Sequence, residues 1–310
     1  MRVAVTGAGG RLGRAVVAAL AEAPLSGLGG PVAWTRPAFD LDRPAGFGEL
    51  LARDRPEVVI HAAAWTDVDG CARDPELAMA RNGLATGELA RVCADAGVDL
   101  IVISTNEVFD GRRTDGRGYR PDDAPNPINP YGVSKLAAER LAGEACLAAG
   151  AGAQLAIVRT AWMFGPPGND FPTKILAAAE RAIAAGERLK VVGDEVGSPT
   201  YSHDVAEGLV DLLAAGEAQG THHLVNRGHA SRAAWARELF RQAGVDTTIE
   251  EVPASTWPRA STPPAWGVLE PSTSPGSEAL RPWQQALADY VPGLLRARSA
   301  ARAAATRAAP

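Results

Sequence analysis

The first half of the chain alternates short apolar runs with longer segments whose apolar residues recur every three or four positions. The short runs are rich in Val and Ile, which is typical of strands buried on both faces, whereas the longer segments have the period of helices. Strands are predicted at 2–7, 31–35, 57–64, 98–105 and 153–162, and helices at 11–23, 75–97 and 131–150. This alternation predicts an α/β fold, namely a Rossmann-type, doubly wound parallel sheet covered by helices on both faces.

The pattern becomes less regular after about residue 160. Pro and Gly cluster at 163–172 and again at 252–278, which indicates loops. A loop as long as the second one is often functional. Helical periodicity returns at 173–186, 203–215 and 231–243.

These patterns predict two units and a tail. We expect a dinucleotide-binding Rossmann domain at 1–160 and a smaller C-terminal lobe, mainly substrate-binding, at 161–295. Some segments of the second unit are expected to return to the Rossmann sheet. The Ala/Arg-rich residues 296–310 are expected to form a disordered or frayed tail.

Composition and charge exclude several classes of partner. The 310 residues are 46% hydrophobic and 22% charged, and a net charge of -5 gives no general attraction to nucleic acid or anionic lipid. Cys71, Cys93 and Cys146 are odd in number and lack a CxxC spacing, which argues against a disulfide framework or a zinc site. We find no signal-peptide pattern and no apolar stretch long enough to span a bilayer. We therefore expect a cytoplasmic protein with no nucleic-acid partner, no membrane partner and no metal ligands that the sequence can place.

The segment VAVTGAGGRLGRAV carries the first chemical signal. Gly7, Gly10 and Gly13 follow the first strand and open a helix. Glycine allows a tight turn there and lets a phosphate reach the helix N-terminus, where free N–H groups and the helix dipole favour an anion. We expect these glycines, with Arg11 and Leu12, to bind a dinucleotide. The GxxGxxG spacing resembles the extended short-chain dehydrogenase/reductase superfamily.

The end of the second strand indicates which cofactor binds. NAD sites usually carry an acid here for the ribose 2′-hydroxyl, whereas an Arg can accept a 2′-phosphate. This strand ends in Thr35 and Arg36, with no acid at its tip. We therefore expect NADPH, with NADH as the alternative, and we expect Asp40 and Leu41 to flank the adenine.

Tyr131 and Lys135 form a candidate catalytic pair. They lie four residues apart in a predicted helix and so share one face. A lysine cation one turn away favours phenolate and is expected to lower the tyrosine pKa, so that the phenol can exchange a proton near neutrality. The fourth strand ends in Ser104 and Thr105, where ligands bind in such sheets. The predicted reaction is hydride transfer to a ketone polarised by Thr105, with Tyr131 protonating the alkoxide and Lys135 orienting the nicotinamide ribose.

Several further segments resemble one family over residues 1 to about 295. They are AAAWTDVDGCARDPELAMARN, NPYGVSKLAAE, VRTAWMFG, VGSPTY, THHLVN and LRPWQQAL. They resemble the dTDP-4-dehydrorhamnose reductase family, extended short-chain reductases that use NAD(P)H in the last step of dTDP-L-rhamnose synthesis.

The resemblance implies roles for individual positions. It implies that Thr105, Tyr131 and Lys135 are the catalytic residues. It implies cofactor contacts for Ala62, Ala63, Ala64 and Thr66, and a structural or cofactor-side role for Asn82. It implies contacts with the nucleotide sugar for Trp162, Asn169, Phe171, Ser198 and Thr200. At a strand end, Trp162 is expected to offer a stacking face.

The chain departs from the family pattern at Asn106 and Glu107. Rhamnose-type reductases typically read Ser-Thr-Asp-Tyr-Val-Phe here, whereas this chain reads Ser-Thr-Asn-Glu-Val-Phe. A Glu here resembles the nucleotide-sugar 4,6-dehydratases, which carry Thr-Asp-Glu with the Asp as acid and the Glu as base. An Asn at the Asp position has no ionisable proton to donate. Both residues are expected to contact the sugar, and they leave its identity open.

Three functions remain open from the sequence. The first is NADPH-dependent reduction of a nucleotide-linked 4-keto-6-deoxysugar, with dTDP-4-dehydrorhamnose as the leading substrate. The second is a dehydratase or epimerase that uses Glu107 and recycles bound NAD⁺. The third is a non-catalytic NADP-binding regulatory subunit, since the β subunit of methionine adenosyltransferase resembles the same reductases. Some rhamnose-type reductases dimerise around Mg²⁺ held by glutamates, which leaves a homodimer and a Mg²⁺ ion open without placing a site.

Overall fold

The secondary structure follows the predicted alternation closely. The computed structural model describes residues 1–23, 25, 30–150, 152–273 and 279–308. The strands are β1 (Val3–Thr6), β2 (Val32–Trp34), β3 (Val58–His61), β4 (Asp99–Thr105), β5 (Leu155–Thr160), β6 (Met163–Phe164), β7 (Leu189–Val192), β8 (Val196–Gly197), β9 (Thr200–Tyr201), β10 (Gly220–His223), β11 (Ala230–Ser231), β12 (Ile249–Val252) and β13 (Trp266–Gly267). The α-helices are α1 (Arg11–Glu22), α2 (Phe47–Asp54), α3 (Val68–Arg73), α4 (Pro75–Ala78), α5 (Ala85–Asp95), α6 (Pro130–Ala149), α7 (Phe171–Ala185), α8 (Ser202–Ala214), α9 (Arg232–Ala243) and α10 (Trp283–Ala308).

The main sheet is parallel, with the strand order β10-β5-β4-β3-β1-β2 among the described residues. Its central strands are buried along their length because helices cover both faces. The predicted Rossmann-type α/β fold is confirmed. Parallel pairing brings the carboxyl ends of β1, β3, β4 and β5 to one edge, where β4 and β5 end in register at Thr105 and Thr160.

The second half of the chain completes the sheet as well as building a smaller lobe. Strand β10 pairs with β5 at the sheet edge, and α8 packs against α1. The lobe contains short sheets with the orders β11-β8-β13, β12-β7 and β6-β9. Its core is aromatic and is formed around Phe164, Tyr201, Trp235, Trp283 and Tyr290.

The segment predicted as one helix at 75–97 is interrupted. Helix α4 begins after Asp74, whose carboxylate accepts a hydrogen bond from Leu77 N at 3.0 Å, and a π-helical turn at Met79–Leu84 precedes α5. Asn82 lies in that turn and is buried. Its side chain bonds both backbone groups of Trp65, at 2.8 and 3.1 Å, and the Ser134 hydroxyl at 3.2 Å. Asn82 therefore connects this helix to the loop after β3 and to α6.

The last helix extends into the predicted tail. Helix α10 includes residues 296–308 of the predicted tail, while 309 and 310 lie outside the described residues. The predicted loop at 252–278 contains a short 3₁₀ turn (Ala254–Thr256) and β13, and its residues 274–278 also lie outside the described part. Of the helices described, none is long and apolar enough to cross a membrane.

Candidate active site

A cleft of about 790 Å³ opens at the carboxyl edge of the sheet and is lined by both halves of the chain. Most of the residues predicted from the sequence meet there. These are Gly7, Gly10, Arg11, Leu12, Gly13, Ala62, Ala64, Thr66, Thr105, Asn106, Glu107, Tyr131, Lys135, Trp162 and Asn169. The cleft is therefore the place where a cofactor and a second ligand could meet.

The glycine turn after β1 forms a cradle that side chains would fill. Gly7 has φ +63, and a Cβ on it would lie 2.8 Å from the Ala63 backbone. A Cβ on Gly13 would overlap the Gly7 carbonyl. Gly10 precedes α1 and has no side chain to cap the N–H groups of its first turn. These features fit the pyrophosphate of a dinucleotide, which needs a close backbone approach and free N–H groups.

Arg11 connects this turn to the second half of the chain. Its guanidinium donates to the carbonyls of Gly165 and Gly168, at 3.1 and 2.6 Å. Asn169 follows in left-handed backbone, with φ +60, and lines the cleft. The phosphate end of the cleft is thus closed by the loop between β6 and α7.

The residues predicted at the adenine ribose do not line the cleft. Arg36 follows β2 with its side chain 72% exposed, and its Nε lies 4.0 Å from Asp40 Oδ1. Leu41 packs into the core, so it offers no side chain to an adenine. The tip of β2 nevertheless reaches the glycine turn, because Thr35 Cγ2 is 3.9 Å from a Cβ placed on Gly9. The 2′-phosphate role of Arg36, the exposed residue that follows Thr35, therefore stays a prediction.

Helix α6 presents the predicted catalytic pair. Asn129 caps it, with its Oδ1 accepting from Gly132 N at 2.8 Å, and Pro130 occupies the first helical position. Tyr131 and Lys135 are buried and line the cleft, with Thr105 at the end of the adjoining β4. The predicted meeting of Thr105, Tyr131 and Lys135 is therefore present in the structure.

The acid–base properties of this pair differ from the expectation. Burial raises the pKa of Tyr131, and the negative charge of Glu107 raises it further, while the Thr105 hydroxyl acts in the opposite direction. The predicted lowering of this pKa by Lys135 is not found. Burial also lowers the pKa of Lys135 to about 8, opposed by the carboxylate of Glu139. Tyr131 is thus a neutral phenol near pH 7, while Lys135 is still mainly charged at pH 7 and loses its proton near pH 8.

Glu107 and Asn106 have distinct surroundings. Asn129 Nδ2 donates to Glu107 Oε2 at 2.5 Å and to the Thr262 carbonyl at 3.1 Å. Burial raises the pKa of Glu107, against the charges of nearby arginines and the bond from Asn129. Asn106 is buried and packs against Gly267 of β13. Glu107 therefore both lines the cleft and holds the residue that starts α6.

The Trp162 ring is not free to stack on a ligand as predicted. The Arg232 guanidinium carbon lies 3.5 Å from the ring centroid, and Gly197 packs against the same indole. Trp235 stacks beside it at a centroid distance of 5.9 Å and also contacts Phe171, which does not line the cleft. Trp162 therefore faces the cleft as part of a stack with the Arg232 guanidinium. Its backbone is in the left-handed region, at φ +37.

Ser198 and Thr200 are placed in the interior instead of the cleft, contrary to their predicted contact with a nucleotide sugar. Ser198 Oγ accepts from Leu269 N at 3.2 Å, and Thr200 Oγ1 donates to the Ser198 carbonyl at 2.9 Å. Ala63 does not line the cleft either. Its N–H donates to Thr6 Oγ1 at 3.1 Å, and its backbone lies beneath the glycine turn. These residues lie behind the cleft walls and support them through interior hydrogen bonds.

Charged residues that the sequence did not single out complete the cleft. They are Asp67, Asp69, Lys174, Arg232 and Arg259. Asp69 accepts from Ser261 N at 3.0 Å and lies 3.4 Å from Arg259 Nε, so it joins α3 to the loop before β13. Burial lowers the pKa of Arg232 to about 10. The position of Arg259 in a long loop was the one available signal, since loops of that length are often functional.

The described residues contain no group of three His, Cys, Asp or Glu side chains that could hold a metal ion. The Mg²⁺ left open by the sequence therefore has no three-ligand site within the described part of one chain. The cations that line the cleft are instead side chains of Lys135, Lys174 and three arginines.

Known proteins of one family are similar to this chain over nearly its whole length. A family model described as the RmlD substrate binding domain matches residues 1–295. A dTDP-4-dehydrorhamnose reductase of Mycobacterium tuberculosis (strain CDC 1551 / Oshkosh) is 38% identical over 294 residues, covering 93% of this chain and 91% of that protein. A dTDP-4-keto-6-deoxy-D-glucose reductase of Streptomyces niveus is 34% identical, covering 93% and 96%. The crystal structure of dTDP-4-dehydrorhamnose reductase from Bacillus anthracis in complex with NADP superposes with a TM-score of 0.82 at 27% identity, covering 93% and 98%.

Proposed function

This chain belongs to the RmlD substrate binding domain family, and we propose that it is an NADPH-dependent oxidoreductase that reduces the 4-keto group of a dTDP-linked 6-deoxysugar. One observation carries the proposal. The glycine turn, Thr105 and the pair Tyr131–Lys135 line a single cleft at the carboxyl edge of the sheet. The relatives named for this chemistry match both halves that build the cleft.

NADPH would supply the hydride, and the chain's own residues would hold and orient it. Gly7, Gly10 and Gly13 leave room for the pyrophosphate at the N-terminus of α1. Arg36 would meet the 2′-phosphate, and Lys135 would contact the nicotinamide ribose. The relative crystallised with NADP supports this choice of cofactor over NADH.

Tyr131 would donate the proton. The phenol is protonated near pH 7, which is the form a donor needs. It would give this proton to the sugar oxygen as the C4 carbonyl becomes an alkoxide. Thr105 would hydrogen-bond the same oxygen, and the Lys135 cation would stabilise the negative charge that develops there.

We propose dTDP-4-dehydrorhamnose, reduced to dTDP-L-rhamnose, as the substrate, with dTDP-4-keto-6-deoxyglucose as the close analogue to compare. Glu107 lies in the cleft and would accept a hydrogen bond from a sugar hydroxyl. Arg232, Arg259 and Lys174 would attract the negatively charged nucleotide. Asn106 packs against β13 and would form part of the wall of the sugar pocket.

The test is NADPH oxidation with a panel of nucleotide sugars, followed as absorbance loss. We expect turnover with dTDP-linked 4-ketosugars, slower turnover with NADH, and none with the matching 4-hydroxy sugar. Tyr131→Phe is the matched control, because it keeps the ring and removes the proton donor; kcat should fall by about 10²–10⁴-fold. No NADPH oxidation with any 4-ketosugar nucleotide would overturn the proposal.

Glu107 supports one second candidate, a dehydratase or epimerase that recycles bound NAD⁺. Its carboxyl lines the cleft, as a base for that chemistry would. The neighbouring Asn106 has no ionisable proton, so the acid of a dehydratase is missing. Protein that purifies with NAD⁺ and converts a nucleotide sugar without consuming reduced cofactor would favour this candidate.

We place the reaction in the cytoplasm. Cys71, Cys93 and Cys146 are free thiols, which suits a reducing compartment. The proposed homodimer is a separate expectation, and sedimentation of the purified protein with and without Mg²⁺ would test it.

A further inference from the structure

Three residues of α6 lie on one face at successive turns: Tyr131, Lys135 and Glu139. Lys135 is 2% exposed, and within the described residues its ammonium has no ion pair or hydrogen bond. An ammonium buried in this way tends to lose its proton. The carboxylate one turn on, Glu139, is the charge that opposes this loss.

The Glu139 carboxylate is itself fixed by three bonds. It accepts from Ser104 Oγ at 2.5 Å and from Arg159 Nε and Nη2 at 3.0 and 2.7 Å. Ser104 and Arg159 are register partners across β4 and β5. Ser104 directly precedes Thr105, so one carboxylate joins the strand end that carries Thr105 to the helix that carries Tyr131 and Lys135.

The other titratable groups near this face are uncharged, act on Tyr131 or, in the case of Arg159, are paired with Glu139 itself. The titratable groups that face it from neighbouring elements are His61 of β3, Cys71 of α3, Glu107 after β4 and Arg159 of β5. Burial lowers the pKa of His61 to about 3 and raises that of Cys71 to about 11, so both are uncharged near pH 7. Glu107 acts on Tyr131, which leaves Glu139 as the anion that supports Lys135.

Resting on the proposed reduction, we propose that Glu139 is a positioning residue: held by Ser104 and Arg159, it keeps Lys135 charged and fixes α6 against the end of β4. A buried ion pair such as Glu139–Arg159, with side chains 7% and 5% exposed, contributes little to stability over apolar residues of similar size. Its place one turn from the catalytic lysine gives it a use that apolar residues could not fulfil.

The decisive measurement is the titration of Lys135 itself. The lysines of this chain are Lys135, Lys174 and Lys190, so protein labelled with [ε-¹⁵N]lysine gives few signals, assigned with Lys174→Arg and Lys190→Arg. We expect Lys135 to titrate near pH 8. In Glu139→Gln the midpoint should fall by about 1–2 pH units, the size of shift that the loss of a neighbouring opposite charge causes. The alkaline limb of kcat should move down by the same amount.

Two further variants keep the test decisive. Ser104→Ala removes one bond to the carboxylate but leaves its charge, so the Lys135 midpoint should stay at the wild-type value. Glu139→Leu combined with Arg159→Met removes both charges while keeping the packing, and it serves even if Glu139→Gln does not fold. It should lower the midpoint by less than Glu139→Gln does, because the Arg159 cation is lost together with the Glu139 anion.

Two results would overturn the proposal. One is an unchanged Lys135 midpoint without the Glu139 charge, and the other is an equal shift in Ser104→Ala. The titration needs no substrate, so it also separates the two proposals. A shifted midpoint in a protein that reduces no ketosugar would overturn the proposed function alone.

Discussion

Among single residues, Lys135 should give the activity its clearest pH dependence. Burial lowers its pKa to about 8, so the ammonium is present below that pH and lost above it. If the cation holds the cofactor and the developing alkoxide as proposed, kcat/KM for reduction should be constant from about pH 6 to 8 and fall about tenfold per unit above. A pH–rate profile checks this, and an alkaline limb near 10, the ordinary lysine pKa, would contradict it.

Glu107 is the residue that should separate sugar binding from cofactor binding. Glu107→Gln keeps an oxygen that can accept from Asn129 but removes the charge. If a sugar hydroxyl bonds this carboxylate, KM for the ketosugar should rise about tenfold or more, the worth of one hydrogen bond to a charged group. NADPH affinity, measured by fluorescence titration, should not change. A fall in NADPH affinity with an unchanged KM would place Glu107 on the cofactor side instead.

Residues in short contiguous motifs were predictable, and residues whose neighbours come from far along the chain were not. Gly7, Tyr131 and Lys135 follow from local spacing, because a helix or a strand-to-helix turn fixes their geometry. The stack of Arg232 on Trp162 joins positions 70 residues apart and leaves no periodic trace. Ser198 resembles a polar contact residue in sequence but is used to bond Leu269 N in the interior.

At the scale of elements, the start of α6 positions the site. Asn129→Ala removes the cap on Gly132 and leaves half-buried Glu107 without its hydrogen bond from Asn129. The free energy of unfolding, from urea denaturation, should fall by about 1–2 kcal/mol, and kcat should fall because Tyr131 lies in the first turn.

Asn129→Ser separates these two effects. A serine keeps a capping oxygen but has no amide to donate to Glu107, so it should retain most of the stability and still lower kcat. Equal loss of stability in the Ser and Ala variants would show that the cap is not what holds the helix start.

Element boundaries were largely predictable, and the π-helical turn was not. The apolar period gives the ends of α1, α6 and α8 to within about two residues. A π turn adds one residue to a helix without changing its apolar period enough to be seen. At Met79–Leu84 it sets the direction of Asn82, whose partners Trp65 and Ser134 lie on other elements.

At the scale of the whole molecule, the cleft belongs to both halves. Arg11 bonds Gly165 and Gly168, and Asp69 meets Arg259 and Ser261 across the opening. Neither half has a complete binding surface. The division at residue 160 therefore describes where the sequence pattern changes, while the sheet and the cleft continue past it.

Because β10 pairs with β5 in the main sheet, the chain cannot be divided between its two halves without exposing a strand edge. A fragment ending at residue 160 would leave β5, an apolar strand, with one unpaired side, and α1 without the apolar cover of α8. An exposed strand edge of this kind recruits other chains. We expect fragment 1–160 to aggregate when expressed alone, and co-expressed fragment 161–310 to restore a soluble pair with NADPH binding, as sedimentation and fluorescence would show. A monomeric, folded 1–160 would contradict this. If it holds, the two halves could not have been exchanged as independent cassettes between enzymes, and new sugar specificities would have to arise by substitution within one continuous chain.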